Sequence, residues 1–276
     1  MFLQISRLRT ILRPVLASIA SILAILMGGQ NPLAADVTGF GSFADAANSA
    51  IDHSAFDGLL KRYVTTAEEG RTIFAYGSVS DEDKAVLKTY IDTLEAVDPT
   101  ILTKTQAYAY WVNMYNAVTV DLILDNYPLK SIRGLGFIGP WGRMLVTVNG
   151  QELSLNDVEH GILRVFWRDP RTHYAVNCAS FGCPNLQPTA FTADNTEALL
   201  NQGAQDYVNH PRGVAVDKRG RVIASSIYKW YKKDFGETDA EVLDHIRQYA
   251  SPALAENLKG KTRISKYAYD WALNEK

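Results

Sequence analysis

Between His173 and Pro184 the chain reads His-Tyr-Ala-Val-Asn-Cys-Ala-Ser-Phe-Gly-Cys-Pro, its densest run of side chains that can do chemistry. Cys178 and Cys183 are its only cysteines, with four residues between them. A thiolate becomes a working nucleophile when a histidine lowers its pKa, the Cys-His pattern of acyl-transfer enzymes. In a compartment that permits oxidation the same two residues would instead close a short disulfide loop, and the two states exclude each other. Glu159, His160, His173 and a cysteine are also metal-ligand types. Their spacing matches no standard zinc pattern, so no metal or other cofactor is expected. Gly182 and Pro184 mark Cys183 as part of a turn, which leaves Cys178 as the more reactive sulfur.

The choice of base depends on local structure. The first half of the run reads as a buried strand, and a period of two puts His173, Ala175 and Asn177 on one face and Tyr174, Val176 and Cys178 on the other. If that strand stays regular, His173 cannot serve Cys178, and His160 from the preceding helix is the better candidate. That helix begins near Ser154, where Asn156 and Glu159 have capping-box spacing. Glu159 therefore has a structural role open to it beside a chemical one. Asn113, Asn116 and Asn177 are the candidate hydrogen-bond donors to a ligand or to a developing oxyanion.

These residues need elements to hold them. Thr105 to Asn126 is apolar on nearly every side, which predicts a helix in the middle of a domain. Asn113 and Asn116, three apart, share a face of it. A buried amide left unpaired costs on the order of 1–3 kcal/mol, so both pin neighbouring loop backbone or bind a ligand's amides or carboxylate. Upstream, residues 41 to 66 have helical spacing, with Phe56, Leu59, Leu60 and Tyr63 on one face. A second helix starts at Ser80, a capping residue followed by three acids, and runs through Leu87, Tyr90, Ile91 and Leu94. Asn149-Gly150 between alternating residues predicts a hairpin over Met144 to Leu153. Thr196 to Val208 and Asp239 to Tyr249 read as helices, Val214 to Ser225 as a hairpin, and Ile227 to Phe235 as aromatic core with a lysine rim. Mixed elements without regular strand-helix alternation predict an α+β fold: the central helix packed on a mainly antiparallel sheet.

The N-terminus predicts export. Arg7, Arg9 and Arg13 precede an uncharged stretch from Val15 to Met27, too short for the roughly 20 residues a bilayer span requires. Leu33-Ala34-Ala35 is an acceptable cleavage site, so 1–35 is expected to be a signal peptide and 36–276 a single globular domain, periplasmic or secreted, with no stable membrane insertion. Loss of 1–35 removes three arginines and no acid, leaving 25 basic and 30 acidic residues, a net charge near −5. Such a balance argues against a nucleic-acid partner, which needs a concentrated basic face.

Five blocks in order carry a family resemblance: Tyr110 to Ala117, Tyr127 to Ile132, Leu153 to His160, His173 to Pro184 and Tyr269 to Asn274. Over roughly residues 50 to 274 they look like the signature blocks of the bacterial and plant proteins grouped as domain of unknown function 547. A polar-studded buried helix followed by a His-bearing strand is also similar to papain-like and transglutaminase-like folds. There a cysteine starts the helix; here Asn113 or Asn116 stands in that helix and the cysteine follows the histidine. Two functions are consistent with these residues. One is a cysteine-dependent hydrolase or acyltransferase acting on peptide or amide bonds in the cell envelope, with Cys178, His160, His173 and Glu159 in the catalytic set. The other is a non-catalytic domain that binds a small peptide or thiol ligand through Asn113, Asn116 and Asn177, with Cys178 and Cys183 joined as a structural disulfide. In either case these polar groups are expected to converge on one pocket, because burying each alone is costly.

Overall fold

The computed structural model describes residues 35–46, 50–136 and 139–275. The predicted signal peptide therefore lies, except for Ala35, outside the described residues. The first helix, α1 (Ser54–Tyr63), buries Phe56, Leu59, Leu60 and Tyr63 as the spacing requires. It is shorter than the predicted 41–66. The β-branched run at its end takes the extended form, and β1 (Val64–Thr66) pairs antiparallel with β2 (Thr72–Phe74). Ser80 caps α2 (Asp81–Glu95), accepting from the Asp83 N–H at 3.1 Å.

The long helix α3 (Lys104–Asn126) opens on a capping box between Thr103 and Gln106 and is buried without a break from Ala107 to Val120. Such a helix has no solvent face, so it must be covered all round. Its neighbours are α2 and the segment that follows the hairpin of β3 (Met144–Val148) and β4 (Gln151–Ser154). Asn149 (φ 49°) and Gly150 (φ 75°) make the two-residue turn that this hairpin's twist demands.

After the hairpin comes a π-helix, Asp157–Leu163, continued by α4 (Arg164–Phe166). Its entry corrects the predicted capping box: Asn156 makes no side-chain cap, and the reciprocal bonds join Ser154 and Asp157, with Asp157 N–H on Ser154 Oγ at 3.2 Å and Ser154 N–H on Asp157 Oδ2 at 2.9 Å. The predicted strand at His173 is also corrected. Residues Thr172–Ala175 form a single helical turn, α5, and the chain becomes extended only at Val176. Asp169-Pro170 starts that turn: Asp169 accepts from the Arg171 N–H at 2.8 Å, and proline is preset for a first helical position.

The C-terminal part holds α6 (Thr196–Asn209), β5 (Val214–Val216), β6 (Val222–Ser225), α7 (Ile227–Trp230), α8 (Lys232–Phe235), α9 (Asp239–Tyr249), α10 (Pro252–Leu258) and β7 (Lys266–Ala268). β6 pairs antiparallel with β5 and parallel with β7. Among the described residues the sheets are thus small, of two, two and three strands, and no single sheet covers α3. The fold is mixed helix and strand, with helices packed against small, mostly antiparallel sheets. Its apolar interior has two adjoining clusters, one around α3 and one around Tyr174, Tyr207, Tyr228 and Phe235. No described helix is long and apolar enough to cross a membrane.

Candidate functional site

The three asparagines are spent on backbone. Asn113 donates to Phe191 O at 2.8 Å and accepts from Phe191 N–H at 2.9 Å. Asn116 donates to Ala175 O at 2.9 Å and accepts from Asn177 N–H at 2.8 Å. Asn177 donates to Pro184 O at 2.7 Å while its Oδ1 accepts from Ala179 N–H at 2.8 Å. These bonds satisfy buried amides that would otherwise be costly. Asn113 serves the loop at Phe191, away from the cysteines in the chain. Asn116 fixes the residues on either side of Val176, tying the turn that carries His173 to the backbone that carries Cys178. Asn177 then closes the loop from Cys178 to Pro184 across its own ends.

The C-terminal segment completes that loop. Phe181 N–H bonds Ala272 O at 2.6 Å, Gly182 N–H bonds Asp270 O at 2.8 Å, and Asn274 N–H bonds Ala179 O at 3.0 Å. Gly182 is needed for this approach, since a Cβ there would stand 2.9 Å from the Asp270 backbone. Ala179 holds φ 58°, a left-handed conformation sparsely used by residues with a side chain, immediately after Cys178.

Within the loop the two thiols are free. Cys178 Sγ is 2.7 Å from Cys183 Sγ, 3.2 Å from Ser180 Oγ and 3.2 Å from the Tyr269 hydroxyl. Cys183 is buried and Cys178 is half-buried. Burial raises the Cys178 pKa, but hydrogen bonds from Cys183, Ser180 and Tyr269, together with the Ser180 backbone N–H, outweigh it and bring the thiol down to about 7. Burial and its neighbour's charge push Cys183 well up. Cys178 is thus the more readily deprotonated thiol of the pair.

A second polar centre lies under the π-helix. His173 Nε2 bonds Asp234 Oδ2 at 2.6 Å, and its Nδ1 is 3.6 Å from Glu159 Oε1. Arg164 holds Asp234 with two bonds, at 2.5 and 3.0 Å. Burial works against a charge on His173, yet Asp234 and Glu159 overcome it and raise its pKa. Burial opposes the Glu159 charge too, and His173, His160 and the Tyr115 hydroxyl hold its pKa below the ordinary value. His160 is the more exposed ring, 3.7 Å from Glu159 and 3.2 Å from Arg164 Nη1. Its burial and the Arg164 charge lower its pKa against the pull of Glu159. Tyr231 stacks on His173 at 4.2 Å and 15°.

The residues expected to share one pocket therefore fall into two centres. Glu159, His160 and His173 are in the charged one; Cys178, Cys183 and Asn177 are in the thiol one; Asn116 links their backbones and Asn113 belongs to neither. Among the described residues neither histidine bonds to a cysteine. Tyr115 and Tyr231 each feel the charges of both Glu159 and Cys178. Among the described residues no three side chains of His, Cys, Asp or Glu gather as a metal-holding group. Sequence reasoning missed Ser180, Tyr269, Tyr115, Arg164 and Asp234 as site residues. Tyr115, Ser180 and Tyr269 stood inside the quoted signature blocks, whereas Asp234 looked like part of a lysine-rich rim.

No curated protein and no solved structure matches the chain. One family model does, over a narrower span than the five blocks suggest, from Pro99 through α3, the π-helix and the cysteine loop to Val208, leaving Asp234 and Tyr269 beyond it. Residues 99–208, which hold both polar centres' first-named residues, match the model of the family described as protein of unknown function, DUF547.

Proposed function

We propose that the chain is an exported cysteine-dependent hydrolase or acyltransferase acting on peptide or amide bonds, with Cys178 as its nucleophile. The observation that carries this reading is the sulfur of half-buried Cys178 facing three donors, Cys183, Ser180 and Tyr269, which bring its pKa to about 7. A thiol so poised is about half thiolate at neutral pH without a histidine beside it. Cys178 attacks the carbonyl carbon, and the oxyanion takes hydrogen bonds from the Ser180 N–H and hydroxyl, which already point at the sulfur. Collapse breaks the bond to the leaving amine, which takes its proton from the Tyr269 hydroxyl. Water, or an acceptor amine or hydroxyl, then adds to the thioester, returns a proton to the Tyr269 oxygen and releases Cys178 as thiolate. In the charged centre of Glu159, His173, Asp234 and Arg164, His160 is the more exposed ring and its pKa is lowered by burial, so it is the base nearest to solvent there.

A second reading rests on the 2.7 Å between the sulfurs. At that distance Cys183 would resolve a mixed disulfide formed on Cys178, so the pair would exchange with a small thiol ligand and carry a disulfide for part of its cycle. The variants separate the two. With p-nitrophenyl acetate, intact mass shows an acetyl adduct in the wild type and in Cys183→Ser, and none in Cys178→Ala. A Cys183→Ser protein that loses the adduct but traps glutathione from its disulfide form would instead establish exchange. No adduct on a protein whose Cys178 is alkylated by iodoacetamide would end the acyl-transfer reading.

A further inference from the structure

Four aromatic rings run from the surface to the Cys178 thiol. Tyr269, whose hydroxyl lies 3.2 Å from Cys178 Sγ, packs its ring 4.6 Å from Trp271 and 4.9 Å from Trp230, and Trp271 meets Trp141 at 5.6 Å. Trp230 is 46% exposed, the most open of the large hydrophobic side chains among the described residues together with Val165. Indoles are large apolar surfaces whose exposure is unfavourable, and a cluster of them beside a reactive atom marks a ligand surface rather than a packing remnant.

We infer that Trp230, Trp271 and Tyr269 form the subsite for an aromatic ring borne by the acyl group that Cys178 attacks. The inference rests on the acyl-transfer reading and adds the substrate class. Three observations select an aromatic ring. The rings are mutually tilted, by 57° between Trp230 and Tyr269, 54° between Tyr269 and Trp271 and 30° between Trp230 and Trp271. A ring laid on the open side of this cluster therefore meets faces and edges together, the arrangement aromatic pairs prefer, whereas a sugar ring stacks best on one flat surface. The Arg133 guanidinium sits 5.2 Å from the Trp271 ring centre. It already occupies the cation position of that indole and repels a cationic ligand, so the patch is not a cage for an ammonium group. Finally, Tyr269 belongs to both the patch and the thiol's hydrogen-bond set. A ring packed on it lies one side chain from the sulfur, a spacing that puts the attacked carbonyl next to the residue that carries the ring.

The test uses N-acetyl-phenylalanine and N-acetyl-alanine p-nitrophenyl esters on the full chain, with p-nitrophenolate release and intact mass as readouts. Binding is read separately, in wild type and in Cys178→Ala, by quenching of tryptophan fluorescence with N-acetyl-phenylalaninamide. The phenylalanyl ester should acylate faster than the alanyl ester, and Trp230→Ala should reduce that preference about tenfold, as expected for losing ring–ring contacts, with Trp230→Phe restoring most of it. Trp230 is exposed, so its replacement leaves the fold intact, which circular dichroism verifies. Equal rates for the two esters in wild type, or an unchanged preference in Trp230→Ala, overturn the subsite. Stronger quenching by chitooligosaccharides or by tetramethylammonium than by the phenylalanine amide overturns it as well. Quenching by the aromatic amide in both proteins without any acyl adduct leaves the subsite standing and removes the nucleophile reading.

Discussion

Replacing Asn116 with alanine removes a clamp on which the thiol centre depends. Its amide, 2% exposed, satisfies one carbonyl, Ala175 O, and one N–H, that of Asn177. Each group left buried and unpaired costs about 1–3 kcal/mol, so the pair amounts to about 2–6 kcal/mol, a large part of the 5–15 kcal/mol that holds a typical domain. Asn113→Ala is the internal control. It orphans the same two kinds of group at Phe191 and should cost a similar amount. Urea unfolding should therefore place both variants about 4 kcal/mol below wild type. Only Asn116→Ala should also slow iodoacetamide alkylation of Cys178 under native conditions, because only that clamp fixes the backbone next to the thiolate. Losses under about 1 kcal/mol in both variants would mean that these amides are easily satisfied by water, refuting the account of burial. Equal effects on Cys178 alkylation would refute the assignment of Asn116 to the site.

Three further outcomes follow from the same geometry. Alkylation of Cys178 against pH should inflect near 7 in wild type, and Tyr269→Phe or Ser180→Ala should move the inflection upward toward the ordinary thiol range; an inflection near 9 in wild type contradicts the donor set. Because the folded pKa of Cys178 is depressed, its contribution to stability is present above the unfolded thiol pKa and fades as pH falls through about 7, a slope that Cys178→Ser should remove from a stability–pH profile. His173 has the opposite sign: its folded pKa is raised by Asp234 and Glu159, so its contribution is full below its unfolded value and is lost as pH rises through the raised one. Asp234→Asn should destabilise the protein at neutral pH by a few kcal/mol, as expected when one partner of a buried charge network is removed, and should flatten the alkaline fall; an unchanged melting temperature would show the network to be superficial.

The residues themselves determined much of the local structure. A helix with no polar face has to be central, a Ser before three acids has to cap, and Asn-Gly between alternating residues has to turn; α3, α2 and the β3–β4 hairpin are these statements in three dimensions. Burial of Asn113 and Asn116 in α3 likewise required partners, and the choice between loop backbone and ligand was resolved by where Phe191, Ala175 and Asn177 pass the helix. Two local readings failed because another short-range preference won. Asp169-Pro170 starts a helical turn and overrides the alternation at His173, and Ser154 takes the cap that Asn156 was expected to hold. What surrounds Cys178 is a different matter. Tyr269 is 91 residues away along the chain and Asp234 is 61 residues from His173, and no periodicity carries information over such separations. The sequence by itself placed two cysteines among buried polar groups and left open whether they were thiols or a disulfide. Only the tertiary structure decided that its pKa is set by a second cysteine, a serine and a tyrosine rather than by a histidine, because hydrogen bonding and desolvation act through space over a few ångströms and depend on which distant segments the packing brings together.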